Sequence, residues 1–387
     1  MTQKRSIFEE VDAAARPAAN APKPGAIAAA RRPGARRAIR LWLMLLFALL
    51  VVMIAVGGLT RLTGSGLSIT EWRPVTGALP PMAEAEWLAE FEKYRAIPQY
   101  ALLNAGMSLA EFKVIYWWEW GHRQLGRLLG LVWALGFLGF LLARRIPAGW
   151  VPRLLGLGAL GGLQGAIGWW MVASGLEEGM IAVASYRLAV HLGLAFVILG
   201  LIAWYVMLLG RSEADLMQAR RIREGRLGRG STGLMHFAML QILLGALVAG
   251  IDAGRGYVDW PLMNGFFLPP ESFDLEPMWR NFFENPALVQ FMHRMAGYGL
   301  VLLALVVWLR GRVSPHAATR GAFHLMMVLM LGQAVLGIVT VMQAAPWQLA
   351  IAHQFGAVLL WVAILRARHH AFYPHARTLR SGRAQKA

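Results

Sequence analysis

The sequence predicts an all-α polytopic membrane protein, with eight transmembrane helices in two pseudo-repeated four-helix bundles. Three observations carry that prediction. Of 387 residues, 57% are hydrophobic and the mean hydropathy is +0.48, more apolar surface than a soluble domain of this size can bury. Eight apolar runs approach the roughly 20 residues that a bilayer core of about 30 Å requires. The second half of the chain also repeats landmarks of the first in the same order.

The runs lie at 38–59, 122–143, 153–174, 187–209, 233–252, 289–309, 321–343 and 349–366. Residues 1–37, rich in Ala, Pro and Arg, read as a disordered cytoplasmic tail, too long and polar for an ordinary cleaved leader. Residues 38–209 then form the first bundle, 233–366 the second, and 367–387 a second cytoplasmic tail. Of the 38 Lys and Arg, 27 fall in the two tails and the even-numbered gaps, whereas only 6 of the 21 acids do. That bias places both termini in the cytoplasm. It also accounts for the net charge of +17 without nucleic acid as a partner; membrane lipid is the partner it predicts.

The first outer loop, 60–121, holds Trp72, Pro74, Trp87, Phe91, Tyr94, Trp117, Trp118 and Trp120, too aromatic for a mere linker. Residues 82–94 have helical spacing and suit a helix on the membrane surface. The chain has no cysteine, which excludes disulfides, iron–sulfur clusters and thiolate ligation.

The repeat is read from several matches. Val56–Thr60 parallels Val248–Asp252, and Leu-Pro-Pro occurs at 79–81 and 268–270. His122-Arg123 parallels His293-Arg294, Gln164 with Gly168 parallels Gln333 with Gly337, and the segment ending at His191 parallels that ending at His353. Both halves run in one direction, so they are parallel repeats about an axis normal to the membrane.

His122, His191, His293 and His353 begin alternate spans at one predicted depth near the outer side. A lone histidine there would be an interfacial side chain. Four, paired by the repeat, suit two bis-histidine haem sites, each taking axial ligands from two facing helices. His236, His316, His324, His369, His370 and His375 have no repeat partner and read as interfacial or tail residues. Arg123, Arg127, Arg187 and Arg294 stand beside the ligand candidates, either as interface anchors or as partners for haem propionates. Glu119 lies three residues before His122, where the second half has Gln290. A carboxylate at a bilayer edge is costly and tends to be functional, as a proton relay or a group steadying iron-bound oxygen; the alternative is a solvated acid or a partner for Lys113 or Arg123.

The run Glu111-Phe112-Lys113-x-Ile115-Tyr116-Trp117-x-Glu119-Trp120-x-His122-Arg123-x-x-Gly126-Arg127 resembles the signature of the haem A synthase family. So do Gly57–Leu62 with Thr63, Ser65 to Ser68, and the motif Trp72-x-Pro74-x-x-Gly77-x-x-Pro80-Pro81. The resemblance covers about 38–366. It implies oxidation of the haem O methyl group to the formyl group of haem A. It further implies haem b at His293 and His353, and the substrate haem in the first half with His122, His191 and catalytic Glu119. A bacterial inner-membrane location would follow. The partners would be the farnesyltransferase that makes haem O, the cytochrome oxidase assembly machinery and an electron donor the sequence does not name, with room for a homo-oligomer. Some bacterial members carry a cysteine pair in the first outer loop; this chain has none and resembles the proteobacterial and mitochondrial branch. The competing functions are a non-catalytic dihaem electron carrier and a factor that delivers haem unaltered.

Overall fold

The computed structural model describes residues 33–375, and within them the protein is helical, with no strand beyond an isolated bridge between Met263 and Phe266. The outer parts of both predicted tails lie outside the described residues. Eight helices are long and apolar enough to cross a membrane. In chain order the helices are α1 (Pro33–Leu62), α2 (Glu84–Arg95), α3 (Pro98–Leu103), α4 (Leu109–Leu142), α5 (Val151–Gly175), α6 (Ser185–Leu209), α7 (Glu213–Arg221), α8 (Gly225–Gly250), α9 (Asn281–Glu284), α10 (Pro286–Gly311), α11 (Ala317–Met342) and α12 (Trp347–Phe372).

Several helices outrun the predicted spans. Residues 33–37 belong to α1 and 367–372 to α12, although the sequence assigned both to tails. The largest difference is α4, which starts 13 residues before His122. Those residues, about 20 Å of helix at 1.5 Å each, extend α4 beyond the span expected from the sequence and carry Glu119. The start is fixed by a capping box: Ser108 Oγ accepts from the Glu111 N–H at 3.3 Å, and Glu111 returns its carboxylate to the Ser108 N–H at 2.8 Å. Its counterpart α10 starts on Asn285, whose Oδ1 caps the N–H groups of Ala287 and Leu288, with Pro286 in the first turn.

The packing has twofold character. α1, α4, α5 and α6 form a closed ring in which each touches its neighbours, and α8, α10, α11 and α12 form the equivalent ring. Between the rings α6 packs on α12, while α1 touches α12 and α8 touches α6, as a pseudo-twofold axis through the α6–α12 contact requires. In lipid, helices are held by close packing and internal hydrogen bonds rather than by the hydrophobic effect. Here, indole rings lie over glycines and donate to carbonyls of neighbouring helices. Trp42 donates to Val132 beside Gly136, Trp133 to Leu154 beside Gly158, and Trp361 to Phe196 beside Gly200. The last of these joins the two bundles.

Outside the spans, α2 packs against the projecting part of α4. Its Trp87, Phe91 and Tyr94 are buried with Phe112 and Tyr116 of α4, and Phe91 stacks on Phe112 at 4.9 Å. The first long loop is therefore a small aromatic core over one end of the first bundle.

Candidate haem-ligand sites and the carboxylate beside one of them

Each of the four histidines fits a notch on the preceding long helix, and the notch is a glycine. A Cβ on Gly57 of α1 would lie 2.8 Å from Cε1 of His122; on Gly168 of α5, 2.9 Å from Cε1 of His191; on Gly245 of α8, 3.0 Å from Cε1 of His293; on Gly337 of α11, 2.9 Å from Cε1 of His353. Real Cβ atoms essentially never approach within 3.0 Å, so at Gly57, Gly168 and Gly337 the imidazole occupies space that glycine leaves, and at Gly245 the fit is at that limit. His122 and His191 stand on opposite helices of one ring, and His293 and His353 on opposite helices of the other, so the histidines are paired within bundles. Among the described residues no three His, Cys, Asp or Glu side chains gather as they would around a bare metal ion. The donors each bundle offers are thus two imidazoles from two helices.

Three of the histidines share a second neighbour that the sequence could not show as such. One turn before each notch glycine stands a glutamine. Gln164 Nε2 donates to the His191 main-chain carbonyl at 3.0 Å and lies 3.2 Å from Nδ1. Gln241 does the same for His293 at 3.1 and 3.1 Å, and Gln333 for His353 at 2.8 and 3.1 Å. Gln164 and Gln241 also lie 3.4 and 3.3 Å from Nε2 of their rings, so the amide is nearly equidistant from the two ring nitrogens rather than straight out from Nδ1. The Oε1 of all three is buried without a partner. A half-turn of the amide would offer that oxygen to an Nδ1–H, the proton an iron-ligating imidazole carries, in exchange for the bond to the main-chain carbonyl. The glycine notches and the orphaned acceptors both fit axial haem ligation.

His122 breaks the rule. The position one turn before Gly57 is Met53, and His122 Nδ1 is buried with no hydrogen-bond partner. These contacts also correct the repeat alignment. Gly57 matches Gly245 and Met53 matches Gln241, whereas the sequence match of Val56–Thr60 to Val248–Asp252 is displaced by four residues, one helical turn. Thr60 and Arg61 are therefore not counterparts of Asp252. Arg61 instead reaches across the halves to Asp252 at 2.9 Å and to the Ala249 carbonyl at 2.6 Å.

Glu119 is not a solvated acid; it is 3% exposed. Its Oε2 accepts from Ser68 Oγ and the Ile69 N–H, each at 2.8 Å, and its Oε1 from Arg123 at 2.6 Å. Arg123 continues to the carbonyls of Ile69 and Glu71. In the second half Gln290 donates to the Tyr257 carbonyl at 3.1 Å, and Arg294 holds the carbonyls of Tyr257, Asp259 and Leu262. The two arginines thus do one job: they clamp the loop that follows the first helix of each half. Beside the clamp, Tyr257 donates to Glu271, and burial with that carboxylate pushes its phenol up to about 12.

Arg127 also clamps a loop, donating to the carbonyls of Pro74 and Arg73. Arg187 donates to the Trp170 carbonyl and stacks over that ring. Arg187 and Arg294 each keep a buried Nε–H without an acceptor. His369 and His370, read from the sequence as interfacial or tail residues, are 3% and 9% exposed. His369 packs edge-on to Trp204 and against Tyr373.

These features define a class: a multi-pass membrane protein of duplicated four-helix bundles, each presenting a facing histidine pair. Comparison with known proteins narrows it. Residues 40–365 match the COX15-CtaA family model, described as cytochrome oxidase assembly protein, and the chain belongs to that family. It is 66% identical to the heme A synthase of Ruegeria sp. (strain TM1040) over 97% of this chain and 99% of the relative. It is likewise 66% identical to the heme A synthase of Dinoroseobacter shibae over 98% and 99%, and 65% identical to that of Roseobacter denitrificans over 98% and 100%.

Proposed function

We propose that the chain is a haem A synthase, oxidising the methyl group of haem O to the formyl group of haem A for cytochrome oxidase assembly. Near-full-length identity to relatives of that name supports the reaction. The observation in the fold that carries it is the pairing of four notched histidines with a buried carboxylate beside only one of them. In this proposal haem O, the substrate, binds between His122 and His191, and haem b between His293 and His353. Haem b would supply one-electron transfer to the first half.

The chain's own residues have three tasks. The glycine notches and glutamine amides fix the imidazoles, so that both substrate and cofactor are held in one orientation. The Nε–H groups of Arg187 and Arg294 are donors suited to propionates, while Arg123 and Arg127 hold the loops over the site. Glu119 is placed to exchange protons on the substrate side. The reaction consumes protons as oxygen is reduced, and two successive hydroxylations give a gem-diol that loses water to the aldehyde. Gln290 cannot do this.

The charge bias of the sequence supports cytoplasmic termini, an inner-membrane location and histidine pairs at the outer face. The enzyme that farnesylates haem and the assembling oxidase are the expected partners upstream and downstream. The test is to purify the protein from cells that make haem O, extract its haem, and identify it by chromatography and mass. Haem b together with haem A or a hydroxylated intermediate is expected. Two haem b per chain, with no modified haem when haem O is supplied, would instead mean an electron carrier.

A further inference from the structure

Two of the differences between the halves fall on the same imidazole. Glu119 replaces Gln290 three residues before the histidine, and Met53 replaces Gln241 one turn before the notch glycine. His191 and His353, by contrast, keep the same amide and notch, Gln164 with Gly168 and Gln333 with Gly337, although Arg187, one turn before His191, has Leu349 as its counterpart. The duplicated scaffold is therefore kept at three histidines and altered at the fourth.

We infer that Met53 makes His122 the one exchangeable imidazole of the four, so that the first half can open an axial position on its α4 side while the second half stays closed. This rests on the haem reading above. The physical basis is the amide. In three sites it donates to the histidine's own main-chain carbonyl and lies against Nδ1, tying helix, ring and neighbouring helix together. An imidazole that leaves its iron there must break this contact. Orienting partners of this kind change metal affinity by roughly 10- to 100-fold. At His122 a thioether stands in the amide's place. Its Cε lies 3.5 Å from where a Cβ on Gly126 would be, and Nδ1 has no partner at all. A methionine accepts weakly, donates nothing and adapts its shape. The ring retains its notch on Gly57 but has no amide holding it there.

Met53 is thus a positioning residue that acts through what it fails to supply. The open side is also the side carrying Glu119, the only one of these four sites with an ionisable group three residues before its histidine. Ligand exchange and proton supply are brought to one edge of one site, while the second half, with amides on both rings, retains two fixed ligands, as suits electron transfer.

The probe is carbon monoxide, which binds reduced haem iron only where an axial position can open. The purified holoprotein is reduced with dithionite and titrated with the gas, and the visible spectrum is read alongside haem content on the same sample. The parent protein is expected to bind carbon monoxide at one haem per chain. Met53→Gln is expected to weaken that binding by about 10-fold or more at unchanged haem content. Gln241→Met is expected to open the second half, adding carbon monoxide binding at its haem. Binding that ignores both substitutions in fully loaded protein overturns the inference and leaves the haem assignment standing. A chain that carries no haem in either half overturns the assignment itself. If Met53→Gln alone fails to load, Gln241→Met decides: added carbon monoxide binding supports the inference, and none overturns it.

Discussion

The two halves of this protein share one architecture, and two of their differences meet at one imidazole. Each half closes a ring of four helices, seats two histidines against glycines and clamps the following loop with an arginine one residue after its first histidine. The clamps even use corresponding carbonyls, Ile69 and Glu71 in one half, Tyr257 and Asp259 in the other. Against this matched background, Glu119 and Met53 stand out. Glu119 accepts the Ile69 N–H where Gln290 donates to the Tyr257 carbonyl, so the acid and the amide use different groups of the same backbone position. A duplicated fold thus shows which residues keep the scaffold and which distinguish the sites, because whatever is repeated is accounted for by the scaffold.

The sharpest way to break that comparison is to delete one ligand from each half. His191→Ala should abolish conversion of haem O, by more than about 100-fold, while haem b remains. His353→Ala should remove haem b and abolish conversion as well. Extracted haem, identified by mass, checks both. If His191→Ala lost haem b and His353→Ala kept it, the assignment of halves would be reversed.

Glu119→Gln is the next test, since it makes the first half resemble the second. A glutamine oxygen can still accept from Ser68 and Ile69, so the loop should stay in place. The loss is then mainly of a proton-exchanging group, about 10²- to 10⁴-fold in turnover, with haem content unchanged. Full turnover would reduce Glu119 to a strut between α4 and the loop.

Much of this was legible in the sequence, and the exceptions have physical causes. The spans, the four histidines, the pairing of Gln164 with Gln333 and the contrast of Glu119 with Gln290 could all be read, because apolar length and unusual polar residues stand out in a membrane chain. Gln241 was missed because the alignment of α1 to α8 slipped by four residues. A slip of one turn keeps every residue on nearly the same helix face, so hydrophobic pattern does not resist it. A signal was available: Gln followed four residues later by Gly occurs at 164, 241 and 333, each time on the helix before a histidine span. The arginines were read as interface anchors or partners for propionates, yet most of their donors go to main-chain carbonyls. Sequence cannot show that, because backbone acceptors have no letter. His369 and His370 were read as interfacial or tail residues because they lie near the cytoplasmic side and have no repeat partner; His369 packs on Trp204 and Tyr373, distant or unremarkable in sequence.

A smaller perturbation tests the notches themselves. Gly57→Ala and Gly245→Ala each place a methyl within 2.8 and 3.0 Å of an imidazole carbon, so ring or helix must shift by some tenths of an ångström. Gly57→Ala should lower turnover by about 10-fold or more through misplaced substrate, with haem b retained. Gly245→Ala should instead alter the spectrum or retention of haem b. Identical effects from both would mean that the glycines serve helix packing alone.

The weakest effect is expected where the halves meet. Arg61 and Asp252 form an ion pair, but their side chains are 23% and 46% exposed, and pairs of that exposure contribute about 0–1 kcal/mol. Asp252 has φ 52°, in the left-handed region that Asn also tolerates. Asp252→Asn therefore removes the charge without disturbing the turn, and Arg61 keeps its bond to the Ala249 carbonyl. Thermal unfolding in detergent should change little, and the small difference should vanish at high salt. Arg61→Ala should cost more, because it also strips a partner from that carbonyl. If Asp252→Asn alone separated the halves or released haem, the junction would depend on that charge pair, and the α6–α12 contact with its Trp361 bond could not be what holds the two bundles together.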